Sequence, residues 1–217
     1  MFSRHNLVWL SPRGWGDAID AAAPEHRAVL QRWRDSDWPA IVRRRDAQTH
    51  DNEVCLGVAL PPDADSRKVR IALRAQALEV TRSMPPLPLK SVLPALASPW
   101  CEELTALNNR AVGLVLRVYG SVALQVLTGQ SYVTPQSDVD LLFYPATLQQ
   151  LNAGLALLAF HATHLPLDGE IIFPSGQAVA WKEWLQAQAA GAHVLVKEQD
   201  AVHLSSPNAL LATLRLP

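Results

Sequence analysis

Asp138 and Asp140 stand two residues apart, with Val139 between them and Leu141, Leu142 and Phe143 following. On a strand, side chains two apart share a face, so the two carboxylates project together while the apolar residues pack behind them. Like charges a few ångströms apart repel by roughly 1 kcal/mol in water and by several times that where the effective dielectric is lower. A hard cation shared by the pair removes that cost. Oxygen-only ligands suit Mg²⁺, which prefers one or two carboxylates completed by substrate phosphates. Upstream, the apolar run from Gly113 to Tyr119 reads as a buried strand. It breaks at Gly120-Ser121, and Val122 to Thr128 reads as a short helix stopped by Gly129. A helix opening on Gly-Ser presents unpaired backbone N–H groups to which a phosphate can bind. Together these elements predict Mg²⁺-dependent phosphoryl or nucleotidyl transfer.

Either element alone is commonplace: an Asp-x-Asp strand is usually a solvated edge, and Gly-Ser is often only a turn. Their order carries the argument. Strand, Gly-Ser, helix, loop and Asp-x-Asp strand, from Leu114 to Phe143, resembles the nucleotidyltransferase superfamily with its polymerase-beta-like palm. That resemblance implies a third carboxylate on a later strand. Glu170, in Leu167-Asp168-Gly169-Glu170-Ile171-Ile172-Phe173, takes that place, with Asp168 the alternative on the same face if the strand begins early.

The elements that must position these residues fall in two parts. Residues 1–83 read as a small mixed α/β domain, with a helix at Pro24–Trp33, a strand at Ile41–Val42 running into Arg43-Arg44-Arg45, and a strand at Val54–Leu60. Residues 66–81 have helical spacing, although Val-Arg-Ile-Ala-Leu also suits a strand. Residues 84–100 hold Pro85, Pro86, Pro88, Pro94 and Pro99, which rule out a continuous helix and read as a connector with one helical turn near Lys90–Leu93. Residues 101–217 form the catalytic part of an α+β fold. Here helices are expected at Cys101–Val112, Thr147–Phe160 and Trp181–Ala190, and strands at Glu170–Phe173, Ala178–Ala180 and Val194–Lys197. Leu148, Leu151, Leu155 and Leu158 mark the buried stripe of the second helix.

Composition narrows the function classes. The chain has 217 residues, 49% of them hydrophobic, with 19 basic against 20 acidic side chains and a net charge of −1. That balance predicts no nucleic-acid partner. No apolar stretch is long enough for a membrane span, and the start lacks a signal-peptide pattern. Cys55 and Cys101 fit reduced thiols of a cytoplasmic protein. His161 and His164 lack a third metal ligand nearby in sequence.

A closer resemblance extends over nearly the whole chain. Asp168 to Trp184, containing Trp181-Lys182-Glu183-Trp184, with Val194-Leu195-Val196-Lys197, His5-Asn6-Leu7-Val8-Trp9-Leu10 and the arginine-ended segment Pro39–Arg45, is similar to the malonate decarboxylase holo-acyl-carrier-protein synthase family, also called phosphoribosyl-dephospho-CoA transferase. The resemblance implies that triphosphoribosyl-dephospho-CoA is the substrate and that its prosthetic group passes to a serine of the malonate decarboxylase acyl-carrier protein, with release of pyrophosphate. Asp138 and Asp140 would hold Mg²⁺. Glu170 would either help place a second metal or act as general base. Gly120 and Ser121 would receive the phosphates, and Lys182, then Arg43 and Arg45, would supply cations for the departing pyrophosphate. Trp9, Trp181 and Trp184 are candidates to wall an adenine pocket.

Overall fold

A computed structural model describes residues 2–63, 69–96, 100–187 and 191–215. The chain divides into two units, the first of Met1–Pro86 with Leu127–Tyr132, the second of Leu87–Val126 with Val133–Pro217. The class is mixed α+β, as the sequence predicts.

The first unit contains β1 (Leu7–Leu10), α1 (Pro12–Ala21), α2 (Pro24–Asp35), β2 (Ala40–Val42), β3 (Glu53–Ala59), β4 (Arg70–Gln76) and β5 (Val80–Met84). Its antiparallel sheet runs β4-β3-β2-β1-β5. Helix α1 opens on Ser11, whose hydroxyl accepts the Gly14 N–H at 3.0 Å, with Pro12 pre-set for the first turn. Of the two readings left open for 66–81, strand is the outcome over Arg70–Gln76. Ile71, Leu73 and Ala75 are buried between exposed Arg70, Ala72 and Arg74, an alternation that only a pleated strand produces. Tyr132, which belongs to this unit, donates its hydroxyl to the Ala59 carbonyl at 2.8 Å, and burial pushes its phenol well above the ordinary range.

Strand β2 ends at Val42, before the arginines. Arg43 then holds both oxygens of Asp46, at 2.6 and 2.7 Å, and Arg74 approaches the same carboxylate at 3.2 Å. These hydrogen bonds hold the Asp46 carboxyl well below the usual range. Its folded pKa lies below the unfolded one, so its contribution to stability is present above about pH 4 and disappears as pH falls through the folded value. At 39% exposure for Asp46, solvent screening limits the contribution to about 1 kcal/mol or less. Asp46→Asn should therefore lower the urea midpoint at pH 7, and the gap from wild type should close progressively below pH ~4.

The second unit contains β6 (Leu87–Pro88), α3 (Leu89–Val92), α4 (Trp100–Arg110), β7 (Leu116–Val118), α5 (Gly120–Thr128), β8 (Val139–Phe143), α6 (Leu148–His161), β9 (Leu167–Ile172), β10 (Ala178–Ala180), α7 (Trp181–Gln186), β11 (Val194–Lys197), β12 (Val202–Ser205) and α8 (Pro207–Leu211). The division of the chain falls after Pro86. Residues 87–95, expected within a connector, are instead an edge strand, helix α3 and a 3-10 turn of this unit. Their prolines are accommodated because Pro88 lies on a sheet edge and Pro94 in the first turn of the 3-10 segment. The helix expected at Trp181–Ala190 ends at Gln186 with Ala187 as its cap; residues 188–190 lie outside the described residues.

The sheet order is β12-β11-β10-β9-β8-β7-β6, antiparallel throughout except for parallel β8 and β9, which α6 connects. One face is apolar. Val118, Val139, Leu141, Phe143, Leu167, Ile171, Val179 and Val196 share a core with Leu104 and Leu107 of α4 and Leu151, Leu155 and Leu158 of α6. Leu148, the first member of the expected stripe, is half exposed at the helix start. Gly169 occupies β9 with φ +135°, and a Cβ there would overlap the Leu141 backbone. Gly169→Ala should destabilise the second unit by about 3 kcal/mol or more, read as a lowered urea midpoint.

Candidate active site

Strand alternation turns every second residue of this sheet away from the helices, and the polar side chains collect on that opposite face. Asp140 and Asp168 are register partners on parallel β8 and β9, so their side chains emerge side by side. The next pair along the same face is Leu142 and Glu170. Arg117 of β7 stands across from Leu142. Lys197 of β11 pairs with Ala178, which in turn pairs with Ile172, placing it on this face too.

Asp138 directly precedes β8 and is exposed. A tight turn orients it: the buried Ser137 hydroxyl accepts the Thr134 N–H at 2.9 Å, and the Ser137 N–H donates to the Thr134 carbonyl at 3.0 Å. At the end of β7, the Tyr119 N–H donates to the Asp140 carbonyl at 3.1 Å, fixing the turn against the carboxylate strand. Gly120 follows with φ +67°, and a Cβ at that position would overlap the Asp140 carboxylate. Only glycine meets both demands, a left-handed backbone and direct contact with Asp140. Ser121 then begins the first turn of α5.

Two lysines reach the carboxylates. Lys182 Nζ, from the first turn of α7, lies 3.7 Å from Asp168, with both side chains about half exposed. Lys197 Nζ lies 2.8 Å from Glu170 Oε1, and Glu170 is buried at 4% exposure. Burial raises the pKa of the nearby Tyr144 phenol; Arg117 opposes that rise and Glu170 adds to it, so both charges are felt at one point on the sheet.

The two candidates for third carboxylate differ in their surroundings. Asp168 is half exposed, level with Asp140 and on the adjacent strand. Glu170 is buried and already joined to an ammonium. Asp138 and Asp140 offer oxygen ligands only, and such a pair could hold a hard cation such as Mg²⁺ whose remaining ligands come from water and phosphate. Among the described residues, no three His, Cys, Asp or Glu side chains form a ready-made metal cage. Mg²⁺ does not require one.

The structure brings Gly120, Ser121, Asp138, Asp140, Asp168, Glu170 and Lys182 into the second unit. Arg43 and Arg45 belong to the first unit, Arg43 engaged with Asp46 and Arg45 with Asp51 at 3.3 Å. The tryptophans are core residues. Trp181 and Trp184 are almost fully buried, Trp184 packing on Phe173 at 5.0 Å. Trp9 donates its indole N–H to the Asp37 carbonyl and carries the Arg82 guanidinium over its ring. His161 is buried with Nδ1 3.3 Å from Glu103, while His164 contacts Thr163. Lys197 and Arg117, which sequence spacing does not single out, lie on the carboxylate face through strand register alone.

Known proteins converge on one family. The family model of the phosphoribosyl-dephospho-CoA transferase MdcG N-terminal domain matches residues 3–86, and that of the C-terminal domain matches residues 88–208. A phosphoribosyl-dephospho-CoA transferase of Xanthomonas campestris pv. campestris (strain 8004) is 40% identical over 215 residues, 97% of either chain. That of Xanthomonas euvesicatoria pv. vesicatoria (strain 85-10) is 36% identical over 220 residues, 99% of either chain. That of Bradyrhizobium diazoefficiens is 36% identical over 208 residues, 93% of this chain and 88% of its own. No solved structure matches. Among the described residues, no helix is long and apolar enough to cross a membrane. The chain therefore belongs to the phosphoribosyl-dephospho-CoA transferase family, a family of transferase enzymes.

Proposed function

We propose that this enzyme takes triphosphoribosyl-dephospho-CoA and joins its phosphoribosyl-dephospho-CoA part to a serine of the malonate decarboxylase acyl-carrier protein. The serine oxygen forms a bond to the α-phosphorus, the bond from that phosphorus to the next bridging oxygen breaks, and pyrophosphate leaves. The cytoplasm is the expected place of work. The observation that carries the reading is the Asp140–Asp168 pair in register on the face opposite the helices, with Gly120 directly against Asp140.

Asp138 and Asp140 would hold Mg²⁺, with Asp168 beside Asp140 on the neighbouring strand. Magnesium, when bound there, would neutralise phosphate charge and ease departure of the pyrophosphate. The chain's own groups account for the rest. Gly120 lets the turn lie directly against the Asp140 carboxylate, and the first amides of α5 with the Ser121 hydroxyl would face the oxygens of a phosphate bound there. Asp168 is exposed enough to receive the serine proton, whereas Glu170 is held by Lys197. Lys182 provides a cation beside Asp168 for the negative charge that builds up on the leaving group.

Donor competition tests the reading. Dephospho-CoA derivatives should displace a fluorescent triphosphoribosyl-dephospho-CoA analogue at far lower concentration than ATP or UTP. Displacement by ATP or UTP at equal or lower concentration would instead mark a nucleotidyltransferase acting on another acceptor.

A further inference from the structure

Apart from its opening glycine, α5 has three polar residues, Ser121, Gln125 and Thr128, spaced by four and three and so set on one face of the helix. The middle one reaches back to the chain that follows: the Gln125 side-chain oxygen accepts the Val133 N–H at 3.0 Å. That bond closes a neck. Residues 127–132 belong to the first unit, where the buried Tyr132 donates its hydroxyl to the Ala59 carbonyl, whereas Gln125 and Val133 both belong to the second. The chain thus leaves the second unit after Val126 and returns at Val133, between the Gly120-Ser121 turn and Asp138.

Past the neck the backbone is fixed step by step. The Thr134 N–H meets the buried Ser137 hydroxyl at 2.9 Å, the Ser137 N–H meets the Thr134 carbonyl at 3.0 Å, and the two hydroxyls lie 3.2 Å apart. Asp138 comes next. On its other side the Val139 N–H donates to the Pro166 carbonyl at 2.8 Å. The strand therefore fixes Asp138 from one side, and the turn must fix it from the other.

We infer that Gln125 is a positioning residue for the metal carboxylates: by holding the Val133 N–H it fixes Asp138 relative to the phosphate turn of the same helix. This rests on the reaction proposed above, in which Asp138 and Asp140 hold Mg²⁺. A carboxylate already in place loses little freedom when the metal binds, and partners behind the ligands tune metal affinity in this way. The closed neck also separates Asp138 from movements of residues 127–132, which are anchored at Tyr132.

The test is Mn²⁺ binding to the full chain, followed by the electron paramagnetic resonance signal of the free ion, beside the Mg²⁺ concentration needed for half-maximal transfer. Wild type should show a Mn²⁺ site that Asp140→Asn removes. Gln125→Met, which lacks the acceptor, should weaken that site about five-fold and raise the Mg²⁺ requirement by a similar factor. Gln125→Glu keeps an acceptor of the same reach and should restore both. Gln125→Asn, a milder change that retains the amide but shortens it, should behave as Gln125→Met does and guards against a misfolded variant. Tyr132→Phe, with the neck intact, should leave Mn²⁺ affinity unchanged. Wild-type Mn²⁺ affinity in Gln125→Met and Gln125→Asn, or a loss in Tyr132→Phe as large as theirs, would overturn the role of Gln125 and leave the proposed reaction standing. A wild type that binds no Mn²⁺ at this site and transfers without metal would overturn both.

Discussion

Asp140→Asn is expected to lower transfer at least about a thousand-fold while the melting temperature stays close to wild type. The exchange keeps the side-chain volume beside Gly120 and removes one of two adjacent negative charges. Fold stability has little reason to fall, whereas a carboxylate that would hold Mg²⁺ against the phosphates is lost. Asp168→Asn should cost at least about a hundred-fold for the same reason. Glu170→Gln should cost far less, because its carboxylate is joined to Lys197. The ranking matters more than any single value. Steady-state kcat/KM for the three variants measures it directly, and a larger loss at Glu170 than at Asp168 would return Glu170 to the metal site.

Gly120→Ala should be nearly as damaging through sterics alone. An added methyl group overlaps the Asp140 carboxylate, and the backbone at φ +67° is one that alanine enters only at a cost of about 1–2 kcal/mol. The carboxylate must rotate away from its place beside Asp168, or the turn must shift and carry the start of α5 with it. Either response misplaces the phosphate relative to the carboxylates, so kcat/KM should fall at least about a hundred-fold. Urea denaturation should report a loss of roughly 1–3 kcal/mol. Activity within three-fold of wild type would show that the close contact between Gly120 and Asp140 has no part in catalysis.

The strand pair that carries the carboxylates was partly legible from sequence. Asp-x-Asp on an apolar background, Gly-Ser before a helix, and leucines at helical spacing each follow from local periodicity, and β8, α5 and α6 form where that periodicity places them. The third carboxylate was not decided by the same means. Asp168 and Glu170 have the same parity on β9, so alternation puts both on one face. Only the pairing of Asp140 with Asp168, and the reach of Lys197 from a strand 27 residues later, separates them. Such long-range register leaves no local trace. Strand β4 was ambiguous for a related reason, since Val69, Leu73 and Ala77 fit a helical stripe while Ile71, Leu73 and Ala75 fit a strand equally well. Pairing with β3 over its full length selects the strand. The arginine triplet reads as a cationic patch in sequence, yet Asp46 and Asp51 lie close enough along the chain to engage Arg43 and Arg45. Prolines 85–94 suggested a linker because they exclude a long helix; they do not exclude an edge strand followed by short turns.

A phosphoribosyl-dephospho-CoA group is expected to pass to a protein serine at the Asp140–Asp168 site. Intact-mass spectrometry of the malonate decarboxylase acyl-carrier protein, after incubation with the enzyme, Mg²⁺ and triphosphoribosyl-dephospho-CoA, tests it most directly. The expected result is a gain equal to the donor minus pyrophosphate, absent with EDTA, with Asp140→Asn, or when the acceptor serine is replaced by alanine. An unmodified carrier protein in the presence of folded, donor-binding enzyme would contradict it.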